Sequence, residues 1–248
     1  MSVGREMRWF TAEPNRRQDA IVLLLHGGTP HSMRPVGATS SSWLRMWEFA
    51  RDISTRVSAN GSDSIGVALL RNKVRGWNSG IAPAAEPDAR WALDQLAELT
   101  GGAPVILVGH SMGGRSALAV ADHPTVRGVV AMAPWLPDAE PMRLSTDQTL
   151  TVVQGLSDSW CPPQQSLAFC ERAVAGAVST MRAEVPGVGH FMLRKRGEWR
   201  DFVTLSTIAA LQQVSPDQVF AEARRPLQIP VSDAIKSWRS ALDAAHDR

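Results

Sequence analysis

The feature that most constrains the fold is a G-x-S-x-G pentapeptide at residues 109–113, which lies between an apolar run and a helical pattern. The run 104–108 predicts a buried strand, and residues 114–121 predict a helix that follows it at once. Glycines two residues before and after the serine remove Cβ atoms that would clash in so sharp a turn, while Ser111 itself takes a strained backbone conformation. The turn holds the hydroxyl at the end of the strand, which makes Ser111 the candidate nucleophile.

Two backbone N–H groups are predicted to face the space above the serine oxygen. The first helical N–H after the turn belongs to Met112, and the helix dipole adds to its partial positive charge. A second glycine-rich turn, which ends at Gly28, follows the apolar run 21–25. Its lack of Cβ atoms lets this segment approach the nucleophile closely. We expect Gly28 to supply the second donor, with Thr29 as the alternative, and His26 to hold the loop by hydrogen bonds.

Short apolar or β-branched runs alternate with helical patterns along most of the chain. Buried strands are predicted over residues 21–25, 64–70, 105–108, 126–132, 149–153 and 181–185. Helices are predicted over residues 43–57, 87–99, 112–121, 163–175 and 198–212. Residues 7–12 are expected to add an antiparallel edge strand. This alternation predicts an α/β fold, in which a mostly parallel sheet is covered by helices on both faces.

In such a sheet, functional residues lie beyond the carboxyl ends of the strands. A serine hydroxyl needs an imidazole to accept its proton and a carboxylate to orient that imidazole. His190 follows the strand 181–185 through a Gly-x-Gly turn, which lets the ring return over Ser111, so we predict that it is the base. Asp158 follows the preceding strand in a Gly-x-x-Asp turn and is the predicted acid, with Asp138 on the connection before that strand as the reserve candidate.

With these elements the chain resembles the α/β-hydrolase fold superfamily, in its serine esterase-like form without a large cap domain. The resemblance rests on four features: the turn 109–113 at Ser111, called the nucleophile elbow, the His-Gly-Gly segment 26–28, the acid loop 155–158 and the Gly-His pair 189–190. It spans about residues 21–211. It implies a mostly parallel sheet of about eight strands, the triad Ser111, Asp158 and His190, and an acyl-enzyme that water releases. It does not fix the substrate, because the superfamily includes esterases, lipases, thioesterases, peptidases and receptors without turnover.

The connections near the site limit what can cover it. Members with large caps usually insert them before the acid strand, and here that stretch is residues 133–148. A connection of this length cannot form a multi-helix lid, so an open site is expected, roofed at most by the loop 29–42. The resemblance also bears on the reaction, since dehalogenases of this kind carry an aspartate at the elbow and dienelactone hydrolases generally a cysteine. Ser111 favours cleavage of an ester or thioester.

Large rings near the catalytic edge are candidates for the walls of the site. Trp77, Trp135 and Trp160 each follow a predicted strand there. Together with Thr29 they are the predicted substrate-binding residues. For each tryptophan taken singly, ordinary anchoring of a loop by a large ring is the preferred interpretation.

Cations near the same edge allow two interpretations. Arg71, Lys73 and Arg75 follow the strand 64–70 and are placed to hold a substrate carboxylate, as in a half-ester. A solvated rim is the more common role of such a run. The run 194–196 after His190 is interpreted in the same way, as solvated surface.

The chain continues past the predicted core. A short helix, an extended link and a final helix are predicted over residues 216–225, 226–230 and 232–246. The final helix carries Ile235, Trp238 and Leu242 on one apolar stripe, which must be buried. We expect a core domain over 1–212 and a C-terminal helical extension over 213–248, packed on the same domain rather than on a second copy.

The composition fits one soluble globular domain. Of 248 residues, 44% are hydrophobic, and the formal net charge of +2 lacks the clustered basicity of a nucleic-acid binder. The early apolar run 20–25 is too short for a signal core or a membrane span. We expect a cytoplasmic monomer or homodimer that binds a small-molecule ester and neither nucleic acid nor a membrane. Cys161 and Cys170 are expected to be free thiols, and no cofactor or metal is expected.

The leading hypothesis is a serine hydrolase, by preference a carboxylesterase, that cleaves carboxylic esters or thioesters of small to medium substrates. One alternative is acyl transfer or thioester release in a biosynthetic pathway, which needs the same triad. The other is a ligand-binding protein of this fold with negligible turnover.

Overall fold

The residues described by the computed structural model, 4–11, 18–59, 64–80, 84–137, 140–220 and 227–246, form one sheet with helices on both faces. The strands are β1 (Glu6–Trp9), β2 (Ala20–Leu25), β3 (Ile65–Arg71), β4 (Val105–His110), β5 (Val126–Met132), β6 (Thr149–Gly155), β7 (Ser179–Val185) and β8 (Ile229–Pro230). They lie in the order β1-β3-β2-β4-β5-β6-β7-β8, and every neighbouring pair except β1 with β3 is parallel. The predicted fold class is confirmed.

The two edges of the sheet differ from the sequence prediction in detail. β1 is the expected antiparallel edge strand, but it ends at Trp9, and residue 12 of the predicted strand lies outside the described residues. At the other edge, the segment predicted as an extended link contains β8, in which Ile229 pairs with Ala183 of β7. A strand of two residues that includes a proline gives no periodic signal, so its pairing is decided by the neighbouring strand.

The helices are α1 (Ser41–Ala59), α2 (Ala85–Thr100), α3 (Met112–Ala119), α4 (Pro163–Ala175), α5 (Arg196–Leu211), α6 (Pro216–Val219) and α7 (Val231–His246). The five helices predicted between strands are confirmed, and α4 has its predicted bounds. The short helix predicted over 216–225 ends at Val219 in the structure. Residues 221–225 of that prediction lie outside the described residues. A capping box between Ser215 and Gln218 fixes its start.

The core lies on both faces of the sheet because successive side chains of a strand point to opposite sides. In β2, Val22 and Leu24 pack in one hydrophobic cluster with α1, α5 and α7. Leu23 and Leu25 pack in the other cluster, with α2, α3 and α4. All of these β2 side chains are buried, which explains why the central strands appear in the sequence as continuous apolar runs.

The final helix is part of this packing. Trp238 and Ile235 are buried in the same cluster as Trp199 and Phe202 of α5, and Leu242 packs against that cluster from its rim. The apolar stripe predicted on α7 is therefore covered by the chain's own sheet and helices.

In their described residues, the connections at the carboxyl edge of the sheet form no helical cap. In the stretch 133–148, the described residues 133–137 and 140–148 contain no helix or strand. The loop 29–42 folds against the loop after β3, through bridges between Thr29 and Gly76 and between Pro35 and Val74. Within the described chain, every helix is too short or too polar to cross a bilayer.

Candidate active site

Ser111 occupies a sharp turn between β4 and α3. Its φ of 57° and ψ of −120° lie in a region that side chains other than glycine rarely adopt. Three backbone hydrogen bonds hold this conformation: the Ser111 N–H donates to Met132 O at 3.0 Å, and Ser111 O accepts from the N–H groups of Trp135 and Arg115, each at 3.1 Å. The strained serine expected from the motif is present.

The glycines around Ser111 are required by close approaches. A Cβ on Gly109 would lie 2.3 Å from Gly113 O, across the turn, as the motif predicts. A Cβ on Gly113 would instead lie 2.1 Å from Leu25 O, at the end of β2. Gly113 therefore lets α3 approach β2, so the turn at Ser111 packs directly against the end of β2.

The structure brings Ser111, Asp158 and His190 together. His190 Nε2 lies 2.9 Å from Ser111 Oγ, and His190 Nδ1 lies 2.8 Å from Asp158 Oδ2. All three residues are buried. Since the carboxylate can only accept a hydrogen bond, Nδ1 carries the proton and Nε2 accepts from the serine hydroxyl. This is the tautomer that a general base for Ser111 requires.

The Asp158 carboxylate is fixed by donors on both oxygens. Oδ1 accepts from the N–H groups of Trp160 and Cys161, each at 2.8 Å. Oδ2 accepts from Gln154 Nε2 at 3.3 Å, besides the bond from His190. The predicted acid is thus a buried carboxylate in a defined orientation. The reserve candidate, Asp138, lies outside the described residues.

The loop that carries His190, called the base loop, is held by the acid loop and by the His110 ring. The Ser157 N–H donates to Val188 O at 3.0 Å, so a backbone hydrogen bond joins the acid loop to the base loop. The His110 ring lies below, where its Nε2–H donates to His190 O at 3.1 Å. Burial lowers the pKa of His110 well below its usual value, and the neighbouring His190 and Arg45 lower it further. A neutral His110 therefore positions the backbone of the base.

The predicted oxyanion donors, Gly28 and Met112, lie against each other. A Cβ on Gly28 would lie 2.5 Å from Met112 Sδ and 2.2 Å from Arg75 O. The N–H groups of Gly28 and Met112 donate to no protein group in the described part of the chain. The alternative donor, Thr29, is engaged, because its N–H donates to Arg75 O at 3.0 Å and its hydroxyl to His31 O at 3.4 Å.

His26 holds the oxyanion segment, as the sequence predicts. Its Nδ1–H donates to Gly27 O at 2.7 Å, and its Nε2 accepts from the Asn72 N–H at 3.2 Å. These two bonds define one neutral tautomer. Burial lowers the pKa of His26 to about 4, and Arg71 acts in the same direction against the bond to Gly27.

Cys161 lies beside the triad, which the sequence did not indicate. Burial raises the pKa of its thiol to about 12, with a further contribution from Asp158, while the Ser111 hydroxyl acts in the opposite direction. Both cysteines are free, as expected. Ligand atoms of Asp158, Cys161 and His190 lie within 4.8 Å of one another, which is close enough for one metal ion. The protonated thiol and the imidazole–carboxylate bond make this a poor ligand set for one.

The three predicted wall tryptophans lie in two different places. Trp160, which is 66% exposed, stacks on the His190 ring at 6.0 Å and 12°, so it borders the site directly. Trp77 and Trp135 enclose the guanidinium of Arg115 instead, with its Cζ 4.1 and 4.6 Å from their ring centres. Their contact with substrate remains a prediction, whereas their anchoring of α3 is visible.

Arg115 also forms a 2.8 Å ion pair with Glu140. Together, the two rings and this carboxylate tie α3 to the loops after β3 and β5. A groove of about 820 Å³ opens beside this cluster, and His190 is not among the residues that line it.

The cations after β3 are partly engaged elsewhere. The Arg71 guanidinium pairs with Glu6 and contacts Val36 O. The backbone of Lys73 is bound through its N–H to Asp88 at 2.8 Å, and Arg75 accepts from Thr29 through its carbonyl. A substrate role for the Lys73 and Arg75 side chains stays a prediction.

Comparison with known proteins agrees with the fold. A family model described as the alpha/beta hydrolase family matches residues 22–227. A search among curated proteins finds no match.

Solved structures are similar over more than four fifths of the chain, at identities that show the fold alone. A protein of unknown function from Agrobacterium tumefaciens superposes with a TM-score of 0.63 at 16% identity, covering 86% of this chain and 94% of that one. A serine hydrolase without a lid from Xanthomonas campestris gives 0.59 at 17% identity, over 86% and 90% of the two chains. A monoacylglycerol lipase from Paleococcus ferrophilus gives 0.57 at 15% identity, over 83% and 99%. The chain belongs to the alpha/beta hydrolase family.

Proposed function

We propose that this protein is a serine hydrolase that cleaves carboxylic esters or thioesters of small to medium substrates through an acyl-enzyme on Ser111. One observation carries the proposal: the continuous hydrogen-bonded chain from Asp158 through His190 to the strained Ser111, with bonds of 2.8 and 2.9 Å. A protein that only bound a ligand would have no need of this arrangement. The Asp158 carboxylate, saturated by donors, keeps the imidazole in the tautomer that accepts the serine proton.

In the acylation step, Ser111 Oγ forms a bond to the carbonyl carbon of the substrate while its proton moves to His190 Nε2. The carbonyl π electrons move to the oxygen, which becomes an oxyanion between the Met112 and Gly28 N–H groups. The protonated His190 then gives its proton to the leaving oxygen or sulfur as the bond from that atom to carbon breaks. An alcohol or thiol leaves, and the acyl group remains on Ser111.

Deacylation repeats these steps with water as the nucleophile. His190 Nε2 accepts a proton from water as the water oxygen attacks the acyl carbon. When the second tetrahedral intermediate collapses, the proton returns to Ser111 Oγ and the carboxylic acid leaves. Asp158 stays ionised throughout and stabilises the imidazolium that forms in each half-reaction.

The restriction to small or medium esters rests on the short connection between β5 and β6, whose described residues form no cap helix. We assign carboxylesterase activity as the finer function. We also retain the sequence-based expectation of a cytoplasmic monomer or homodimer whose partner is a small ester.

The decisive experiment is a panel of acyl esters, thioesters and peptides tested on the purified protein and on Ser111→Ala. We expect hydrolysis of short esters or thioesters, with a loss of roughly 10⁴ to 10⁶ in turnover in the variant. A fluorophosphonate should label Ser111 alone, as located by peptide mass mapping. Ser145→Ala, at an exposed serine outside the site, is the matched control and should retain activity.

The same panel decides between the proposal and its alternatives. Transfer of the acyl group to added alcohols or thiols in preference to water would indicate acyl transfer. Stoichiometric binding of substrate without release of product would indicate a ligand-binding protein. Undiminished activity in Ser111→Ala would refute the assignment of the nucleophile.

A further inference from the structure

A cavity of about 300 Å³ lies next to the base loop, between α1 and the first turn of α5. Its walls include Phe191 and Met192, which directly follow His190 in the chain. The charged residues that line it are four arginines and two carboxylates, namely Arg45, Arg51, Arg196, Arg200, Glu48 and Asp52. The cavity therefore carries an excess of positive charge.

Only one of these arginines, Arg200, has an ionic partner among the described residues. Arg200 pairs with Asp52, and the Arg51 guanidinium lies 5.0 Å from the ring centre of Trp47. Arg45 and Arg196 form no ion pair with any described residue, and the nearby Glu48 lies beyond ion-pair distance. Burial and the charge of Arg196 both lower the pKa of Arg45, so the two guanidinium groups repel each other across the cavity. Such a pair is stabilised by an anion between them.

The start of α5 adds backbone donors. The residue before the helix, Lys195, has a φ of 53°, and its side chain accepts no bond from the first turn. The N–H groups of residues 196–198 have no acceptor among the described residues. A helix of 16 residues with an uncapped N-terminus presents these donors with the positive end of its dipole.

A buried donor points to the same kind of ligand independently. Trp199 lines the cavity and is 1% exposed, yet its Nε1–H has no hydrogen-bond partner in the described structure. A buried N–H without an acceptor costs free energy unless a ligand satisfies it. Arginines, backbone N–H groups and an indole N–H are all donors, and together they match an oxyanionic group.

We propose that this cavity binds a carboxylate or phosphate group on the substrate, so that the enzyme prefers anionic esters. The inference rests on the proposed hydrolase function. The position supports it, because Arg45 Cζ lies 5.5 Å from the Phe191 ring centre and that ring lies 5.4 Å from the His190 ring. A substrate whose ester is at Ser111 can reach the cavity with its other end. Arg196 is exposed, as expected from the sequence, and under this proposal it also lines a binding site.

The kinetic test compares esters that differ in charge. Monoethyl adipate carries a carboxylate, butyryl glycerol 3-phosphate carries a phosphate, and ethyl hexanoate is the uncharged reference. We expect kcat/KM for at least one anionic ester to exceed that for the reference roughly tenfold, and to fall by about that factor in Arg45→Ala or Arg196→Ala. Trp199→Phe removes one donor with little change of volume and should lower the preference less. The anion that shows the preference identifies the group.

Arg194→Gln is the matched control, since it removes a positive charge from the same loop outside the cavity wall. It should leave the preference unchanged within about twofold. Equal kcat/KM for charged and uncharged esters, or an equal loss in the control, would overturn the proposal.

A binding measurement separates failure of this site from failure of the proposed function. Inorganic phosphate should raise the melting temperature of Ser111→Ala, and Arg45→Ala in the same background should abolish that shift. If no ester is hydrolysed, the hydrolase function fails, while this titration still decides whether the cavity binds an anion. The absence of any shift, together with no charge preference, would refute the site.

Discussion

Two neighbouring places at the carboxyl edge of the sheet differ in how their polar groups are satisfied. At the triad, the side chains of Ser111, His190 and Asp158 find their partners within the protein. At the start of α5, Arg45 and Arg196 line a cavity without an ionic partner among the described residues, and the buried Trp199 N–H nearby has no hydrogen-bond partner there. Polar groups that hydrogen-bond one another hold a fixed geometry before substrate arrives. Donors that have no acceptor within the protein remain available to a ligand.

The largest effect expected in this comparison comes from breaking the triad at its acid. Asp158→Asn keeps the shape of the side chain but removes the charge that stabilises the imidazolium, so kcat should fall roughly 10⁴-fold. Steady-state kinetics on a short ester and a circular dichroism spectrum measure activity and folding together. Asp138→Asn is the control and should be close to wild type. If it is the more damaging change, the acid has been placed on the wrong strand.

A smaller loss is expected at the oxyanion segment. In Gly28→Ala, the new Cβ would lie 2.2 Å from Arg75 O, a backbone atom that has no room to yield, so the segment must shift away from Ser111. Loss of one oxyanion donor lowers kcat by roughly 10² to 10³ and changes KM little. Gly37→Ala lies on the following loop, where the nearest atom to a Cβ is 4.0 Å away, and should have no effect. A rise in KM with unchanged kcat would place Gly28 in substrate binding instead.

His26 gives a pH-dependent effect on stability rather than on rate. Folded His26 stays neutral down to about pH 4, whereas an unfolded histidine takes up its proton near 6.5. Between these values the unfolded chain binds more protons, so the free energy of unfolding falls as the pH falls, and the contribution of His26 is complete only above 6.5. The difference between these two pKa values corresponds to a change of about 3 kcal/mol in the free energy of unfolding across this pH range.

Urea unfolding at pH 7 and at a series of lower pH values measures this dependence. His26→Gln should be less stable at neutral pH and should lose stability less steeply on acidification. The exposed His31→Gln serves as the control and should leave the slope intact. An unchanged slope in His26→Gln would show that other groups govern acid unfolding.

The fold and the triad could be predicted from the sequence because their signals are local. Each central strand is a continuous apolar run, since it is buried on both faces, and the residues that follow these runs meet at one edge. Ser111, Asp158 and His190 each stand in a short glycine turn of their own, so each can be recognised without knowledge of the others. The oxyanion roles proposed for Gly28 and Met112 follow from the same turns.

What the sequence could not show depends on contacts between distant segments. Trp77 and Trp135 look like walls of a pocket until Arg115, on another element, is found between their rings. Cys161 comes close to His190 only because the acid loop folds back towards the base. Arg45 and Arg196 belong to α1 and α5, and no periodic pattern connects them.

The smallest effect concerns the access of substrate to the triad. The connection between β5 and β6 forms no helix in its described residues, so no element there has to move before substrate binds. The rate on tributyrin should therefore follow one saturation curve through the concentration at which droplets form, with a change at that point of less than about twofold. A pH-stat assay across the solubility limit measures this. A steep rise in rate at the interface would show that a closing segment exists, and the open site would then be wrong.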